Sequence, residues 1–269
     1  AEDEDVLRLC EQGFFGMAKL SASYHLIEVL DDLVVSLCNF TTLLNSSGGV
    51  DELLLSFVED TKACMAAKTL FRIVNQYGDH IRSSWRNIVD CILQLQKIGL
   101  IPSRILSDNA DEVEMSSEVL GRSVIGNAVT QHKKPSGLMG RFSQLLYLEP
   151  DEPKSQPTEE QLAAHQEALK VVEACHIDSI IAESKFLQTE SLLQLAKALV
   201  RMSGRPQKAG GSFEDEDTFV FCLDLLIAVV LQNRDRILLL WHIVHEHITN
   251  IVQNTIVPSA LVEKAVFGL

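Results

Sequence analysis

What this chain lacks removes whole classes of function before any residue is assigned a task. It has no C-x-x-C pair among its six cysteines (Cys10, Cys38, Cys64, Cys91, Cys175 and Cys222). That excludes the common zinc and thioredoxin-type spacings and reads as reduced, buried, cytosolic cysteine. It is short of positive charge: 23 Lys and Arg stand against 37 Asp and Glu, a net −14. A nucleic-acid partner needs a basic face for phosphate, so none is expected. The longest apolar run, Phe219 to Leu231, is interrupted by Asp224 and falls short of a bilayer span. No signal or transit segment is visible. Also missing are the glycine-rich phosphate loop, the dinucleotide fingerprint and the G-x-S-x-G elbow.

Tryptophan is scarce too, and the scarcity is informative. Both tryptophans fall in a stretch that occurs twice. Read with an offset of 156, Asp79, Ile81, Trp85, Ile88, Ile92, Leu95, Pro102 and Ser103 align with Asp235, Ile237, Trp241, Val244, Ile248, Ile251, Pro258 and Ser259. Steps of 4, 3, 4 and 3 residues from Ile81 to Leu95, and again from Ile237 to Ile251, place one apolar stripe on each helix. Aspartate before each stripe predicts a cap for first-turn amides, and proline after it predicts a stop. Both indoles are expected in the buried seam. A repeated amphipathic helix cannot bury its own seam alone, so the expected fold is all-α, a HEAT- or armadillo-like helical solenoid.

The rest of the chain has enough apolar residues, 46%, to bury a core. Val6, Cys10, Phe14 and Met17 predict an inward helical stripe, followed by Leu26, Leu30, Leu33, Leu37, Phe40 and Leu44, whose outer face carries Glu28, Asp31 and Asp32. These two helices should form a hairpin. A turn at 45–49, a short helix near Leu53 to Val58 and a helix from Asp60 to Tyr77, stopped by Gly78, lead into the first Trp helix. The first helical block is thus 1–106. From 107 to 157 acids, Gly, Ser and four prolines predict a partly disordered linker. A second helical block, 158–269, opens on the capping-box spacing of Thr158 and Gln161 and contains a loop at 204–217. The chain lacks an initiator Met and ends within a helical pattern, so it reads as a fragment.

Inside the linker, residues 119–148 hold four bases (Arg122, Lys133, Lys134 and Arg141) and no acid. Leu138, Met139, Phe142, Leu145 and Leu146 recur there at helical spacing. Such a segment folds back on the solenoid, docks in a partner's groove, or lies on an anionic membrane. Phosphate on Ser136 or Ser143 would lower its positive charge. His242 and His245 lie one turn apart without a third ligand at a recognisable spacing, so exposed histidines are expected and a metal site is not. His176, Asp178 and Ser179 are neighbours in sequence, which is no sign of a triad. No cofactor and no catalytic constellation is expected.

Several strings nevertheless carry a resemblance: residues 11–19 (EQGFFGMAK), 30–43 (LDDLVVSLCNFTTL), 77–91 (YGDHIRSSWRNIVDC), 183–187 (ESKFL), the linker strings 136–146 and 155–158, and 204–208 (GRPQK). Together they resemble the large Arf guanine-nucleotide exchange factors of the Golgi brefeldin-resistance class, plant GNOM-like type. The resemblance implies a region downstream of the catalytic Sec7 domain, with the first downstream homology block at 1–106 and the start of the second from 158. The family's exchange activity on Arf lies in Sec7, whose glutamate finger has no matching stretch here, so no catalytic residue is carried over. The resemblance further implies recruitment to Golgi or endosomal membranes, a cytosolic and peripherally associated location, and intramolecular control of Sec7. A general helical scaffold or trafficking adaptor is the alternative.

Overall fold

The computed structural model describes residues 4–44, 49–101, 159–203 and 213–253, together with 262 and 266. Among them there is no strand, and the chain is all-α. Ten helices follow in order: α1 (Glu4–Ser23), α2 (Ile27–Phe40), α3 (Val50–Glu59), α4 (Thr61–Tyr77), α5 (Trp85–Lys97), α6 (Glu159–Glu173), α7 (Ile177–Ala182), α8 (Thr189–Ser203), α9 (Phe213–Gln232) and α10 (Ile237–Gln253). Three 3-10 turns intervene at Gly78–His80, Glu183–Phe186 and Arg234–Arg236. The chain divides into two compact units, 1–107 with 163–269, and 108–162. Of the second, the described part is the first turn of α6.

The helix ends follow local chemistry. Asp60 caps α4 by accepting from the Lys62 amide at 2.9 Å, as an Asp in extended backbone at that position should. At the other end of α5, Gly99 takes φ +76, the Leu100 amide reaches Leu95 O at 2.9 Å and the Gly99 amide reaches Gln96 O at 2.9 Å. This double closure is the Schellman ending, and it needs a left-handed residue at that one position. Gly78 was expected to stop α4 in the same way. Instead it keeps φ −51 and carries the chain into a 3-10 turn, and its missing side chain matters for packing. A Cβ there would sit 3.2 Å from the Leu187 side chain and 3.7 Å from the Trp85 ring.

The core is built on two layers that share α5. On one side α4 contributes Ala63, Ala66, Ala67, Leu70, Phe71 and Val74, all buried, and the small residues let α1 and α2 approach it closely. On the other side α8 buries Leu192, Leu195, Ala196 and Leu199 against α9 and α10. Between them α5 buries Trp85, Ile88, Val89, Cys91, Ile92, Leu93 and Leu95, touching α2 in one direction and α8 and α9 in the other. Its polar residues, Arg86, Asn87, Asp90, Gln94, Gln96 and Lys97, take the remaining half-buried or exposed face, so α5 is an amphipathic helix with a wide buried side. Helices of 1–106 and of 158–269 therefore contribute to one continuous core.

Three sequence expectations are corrected here. The α1 stripe of Val6, Cys10, Phe14 and Met17 faces largely outward, with Val6 and Met17 about half exposed. The buried side of α1 is Ala18, Ser21 and Ala22, with Phe14 and Phe15 packed at its margin. That helix carries apolar residues on two faces, and small residues at 18, 21 and 22 win the contact with α4 because they permit closer approach. The Trp helix expected from Asp79 begins at Trp85 and spans 13 residues. The loop expected at 204–217 is shorter, because α9 starts at Phe213. The expected turn at 45–48, the linker to residue 158 and the last helix after Pro258 lie outside the described residues, save for 262 and 266.

Candidate functional site

The start of α5 is the most heavily bonded point among the described residues, and Asp79 is not its cap. Asp79 lies in the 3-10 turn and accepts from the Gln188 amide at 2.8 Å. The capping carboxylate comes from across the core, from Asp31 on α2. Its Oδ1 accepts from the amides of Arg82 and Ser84 at 3.0 and 3.3 Å and from the Ser84 hydroxyl at 2.6 Å. Its Oδ2 accepts from the amide and hydroxyl of Ser83, each at 2.8 Å. Asp31 was expected on a solvated outer face; it is 6% exposed. Burial pushes its carboxyl pKa up, but hydrogen bonds from the Ser84 hydroxyl, the Arg82 amide and both Ser83 donors outweigh burial and leave it below the ordinary carboxylate value. Orphan first-turn donors, a helix dipole and a buried anion thus satisfy one another.

At the next residue, the first of the helix, Trp85 joins α5 to α8. Its indole N–H donates to Ser191 Oγ at 2.8 Å, and the Ser191 hydroxyl donates to Gly78 O at 2.6 Å. The Arg82 guanidinium donates to Asp79 O and Ile81 O at 2.5 and 2.8 Å and pairs with Glu190 at 3.2 Å. The second copy grips the preceding residues from the other side. Arg236 donates to the carbonyls of Leu187, Ser184 and Lys185 at 2.7, 3.3 and 2.8 Å, and Asn233 donates to Ser184 Oγ at 3.1 Å. Residues 183–191 are therefore a joint held by both repeats.

The repeat itself is partly reproduced in three dimensions. The 3-10 turns Gly78–His80 and Arg234–Arg236 are related by the 156-residue offset, and so are the ends of α5 and α10 at Lys97 and Gln253. Ile88, Ile92 and Leu95 are buried, as are Val244, Ile248 and Ile251. The N-terminal turns differ. Ile81 is buried and Ile237 half-buried, and Trp85 is 1% exposed whereas Trp241 is 50% exposed and lies 5.0 Å from the His245 ring. The expected buried seat for Trp241 is thus corrected. The first indole fits beside Gly78, where a Cβ would already crowd it; the matching position of the second copy is Arg234. Asp235 is exposed in its 3-10 turn.

A cavity of about 330 Å³ opens beside the joint, lined in part by Asn75, Gly78, Asp79, His176, Ser179 and Phe186. Its polar groups serve the backbone: Asn75 Nδ2 donates to Cys175 O and His176 O, each at 3.3 Å. Phe186 projects at its rim, 68% exposed, with the Lys185 ammonium 5.0 Å from the ring centroid.

The remaining polar candidates have structural partners. Ser203 Oγ lies 2.7 Å from His247 Nε2 and also 2.9 Å from Leu199 O. With the hydroxyl donating to that carbonyl, the imidazole donates to the serine, the reverse of general-base polarity. Burial lowers the His247 pKa below its ordinary value. His242 and His245 are exposed, as expected, and His242 Nδ1 lies 3.6 Å from Glu246. Among the described residues no three His, Cys, Asp or Glu side chains come together as metal ligands, and no helix is long and apolar enough to cross a membrane. Cys38, Cys91, Cys175 and Cys222 are buried while Cys10 is exposed. The Cys91 thiol and burial both push the Cys38 pKa up, and burial pushes Cys175 up to about 12, so these two remain protonated. The amphipathic segment (Lys133, Lys134, Leu138, Met139, Arg141, Phe142, Leu145 and Leu146) lies outside the described residues. Sequence reasoning missed the role of Asp31. The usable signal was the Ser83-Ser84 pair at a helix start with no acid of its own in the first turn.

Comparison with known proteins gives the frame for these residues. Across its whole length the chain is 60% identical to ARF guanine-nucleotide exchange factor GNOM of Arabidopsis thaliana and 48% identical to GNL1 of the same plant. It is also 32% identical, again over its full length, to the Golgi-specific brefeldin A-resistance guanine nucleotide exchange factor 1 homolog of Caenorhabditis elegans. The chain belongs to the GNOM-like ARF guanine-nucleotide exchange factors. It spans 19%, 18% and 15% of the lengths of those three GNOM-like and Golgi-specific relatives. No protein-family model matches it. The strings at 30–43, 77–91 and 183–187 contain Asp31, the start of α5 and the first part of the joint.

Proposed function

We propose that this region is a non-catalytic regulatory and membrane-recruitment segment of an ARF guanine-nucleotide exchange factor acting in vesicle trafficking, with ARF engaged by a Sec7 domain elsewhere in the parent chain. The observation that carries the reading is 60% identity to GNOM over 100% of this chain. A second support is that the densest polar cluster, from Asp31 to Arg236, bonds helix to helix. Within this reading 1–106 and 158–269 are the downstream homology blocks and 107–157 is the linker. Lys133, Lys134 and Arg141, with Leu138, Met139, Phe142, Leu145 and Leu146, form its membrane- or partner-binding segment. The parent is cytosolic and peripherally attached to Golgi or endosomal membranes, and the helical surface contacts Sec7 within the same chain.

The test compares nucleotide exchange on membrane-bound ARF by the parent with and without residues 1–269, alongside the activity of this chain alone. Expected are no exchange by the isolated chain and an altered rate or altered membrane recovery of the parent. Equal rates and equal membrane recovery with and without the segment would overturn the proposal. Charge reversal at Lys133, Lys134 and Arg141 should weaken capture by anionic liposomes, and an unmodified chain that liposomes never capture removes the membrane role of 133–146.

A further inference from the structure

The turn from α1 to α2 closes in the same Schellman fashion as the end of α5: the Leu26 amide reaches Ser21 O at 2.8 Å and the His25 amide reaches Ala22 O at 3.2 Å. Its left-handed position, at φ +55, is held by histidine. Glycine or asparagine sits there at little steric cost, whereas a larger side chain is strained. That backbone sets the His25 ring against His80, which lies in the 3-10 turn ahead of α5, with ring centroids 5.4 Å apart and planes tilted by 45°. No hydrogen bond to another described residue engages either ring. The charged side chains on the His80 turn are already engaged: Asp79 by the Gln188 amide, and Arg82 by the carbonyls of Asp79 and Ile81 and by Glu190. His25 is exposed and His80 half-buried, so the space between the rings is open to solvent on one side.

We propose that His25 and His80 form a two-histidine site for a borderline divalent cation of the zinc class, whose remaining positions are filled by water or by a donor from outside this chain. Zinc–imidazole bonds run about 2.0–2.1 Å, which places the centroids of two rings sharing a tetrahedral ion roughly 5 Å apart, close to the separation found here. Two nitrogen donors select zinc or copper over magnesium and calcium, which take oxygen ligands. Burial, the His25 ring and Arg82 outweigh Asp79 and hold the His80 pKa below its ordinary value, which keeps that imidazole in its ligating form at pH 7. No third His, Cys, Asp or Glu joins the pair among the described residues, so the ion keeps open positions. A bound ion ties the α1–α2 turn to the turn that precedes α5, six residues before Asp31 on one strand of chain and two before Arg82 on the other. It therefore braces the same α2–α5 contact that the Asp31 carboxylate makes. The site is independent of the role proposed for 133–146.

The experiment is calorimetric titration of the intact chain, first freed of metal with a chelator, with zinc chloride at pH 7. Two single variants, His25→Asn and His80→Gln, are compared with the double variant His242→Gln with His245→Gln, which removes the exposed histidine pair on α10. Asparagine accepts the left-handed turn, so His25→Asn keeps the backbone while removing the imidazole. Circular dichroism melts confirm that all three variants fold. One-to-one binding is expected, weakened about tenfold or more by each single variant and less than about twofold by the α10 control. Zinc should also raise the melting temperature of the wild type, and magnesium at the same concentration should not. Electron paramagnetic resonance with copper(II) as the probe reads the ligands directly. Two equatorial nitrogens in the wild type, falling to one in each single variant, support the pair. No saturable zinc binding, binding that survives both single variants, or binding lost only in the α10 variant overturns the site.

Discussion

Asp31 concentrates more of this fold's polar bonding than any other described side chain, because a single carboxylate answers five donors, those of Ser84 buried. Truncation to Ala should cost about 2–4 kcal/mol, the penalty of an absent cap plus stranded amides, in urea melts at neutral pH. The sign of its pH dependence follows from its lowered pKa. The stabilisation is fully present above the ordinary carboxylate value of 3.8 and is lost as pH falls through the lower folded value. The stability gap between wild type and Asp31→Asn should therefore narrow on acidification below that point, and a gap constant with pH would contradict the assignment. The two tryptophans make a second residue-scale test. Trp85→Ala should cost about 3–5 kcal/mol as a core truncation, and Trp241→Ala about 1 kcal/mol or less from its half-exposed site. The 156-residue repeat was plain in the sequence. The unequal burial of its indoles was not, since an i, i+4 stripe says which side chains share a face and nothing about whether a Gly78 or an Arg234 stands opposite.

At the scale of single elements, helix ends decide the arrangement more than helix middles. The Gly99 turn closes α5 with two backbone bonds and sets Leu100 and Ile101 into the core. Gly99→Ala should cost about 1–2 kcal/mol, because an L side chain at φ +76 clashes with its own carbonyl, while Gly13→Ala in α1, with open space around it, should be neutral or slightly stabilising. Thermal melts of the pair check the contrast. On α10, His247 is buried against Ser203 with its pKa below the ordinary 6.5. The unfolded chain then binds more protons in that window, so stability should fall as pH drops below 6.5, and His247→Gln should flatten the fall. Most helices were legible from apolar periodicity, as α2, α4 and α8 illustrate. The start of α5 and the inward face of α1 were not, because a cap delivered from 51–53 residues away and a choice between two apolar faces leave no local pattern.

Across the whole molecule the decisive feature is that α5 completes the packing of helices from both ends of the chain. Its contacts with α8 include the bond from Trp85 to Ser191, and a chain ending at residue 106 would leave that indole uncovered on this side. Residues 1–106 alone should therefore bind a hydrophobic dye and unfold with a broadened transition. Adding 158–269 as a separate polypeptide should restore a cooperative melt. A sharp, dye-free transition in 1–106 alone would show that the first block closes its own core.

The linear chain by itself determined the helical class, the lack of metal and nucleophile spacings, the repeat and the kinship with GNOM-like exchange factors. Each of these depends on residue type and spacing along one dimension. Tertiary packing alone decided which of two apolar stripes of α1 lies inside, which aspartate caps α5, and which of the two tryptophans is buried. Those outcomes depend on what stands across a helix interface, and nearest neighbours in space are far apart in sequence.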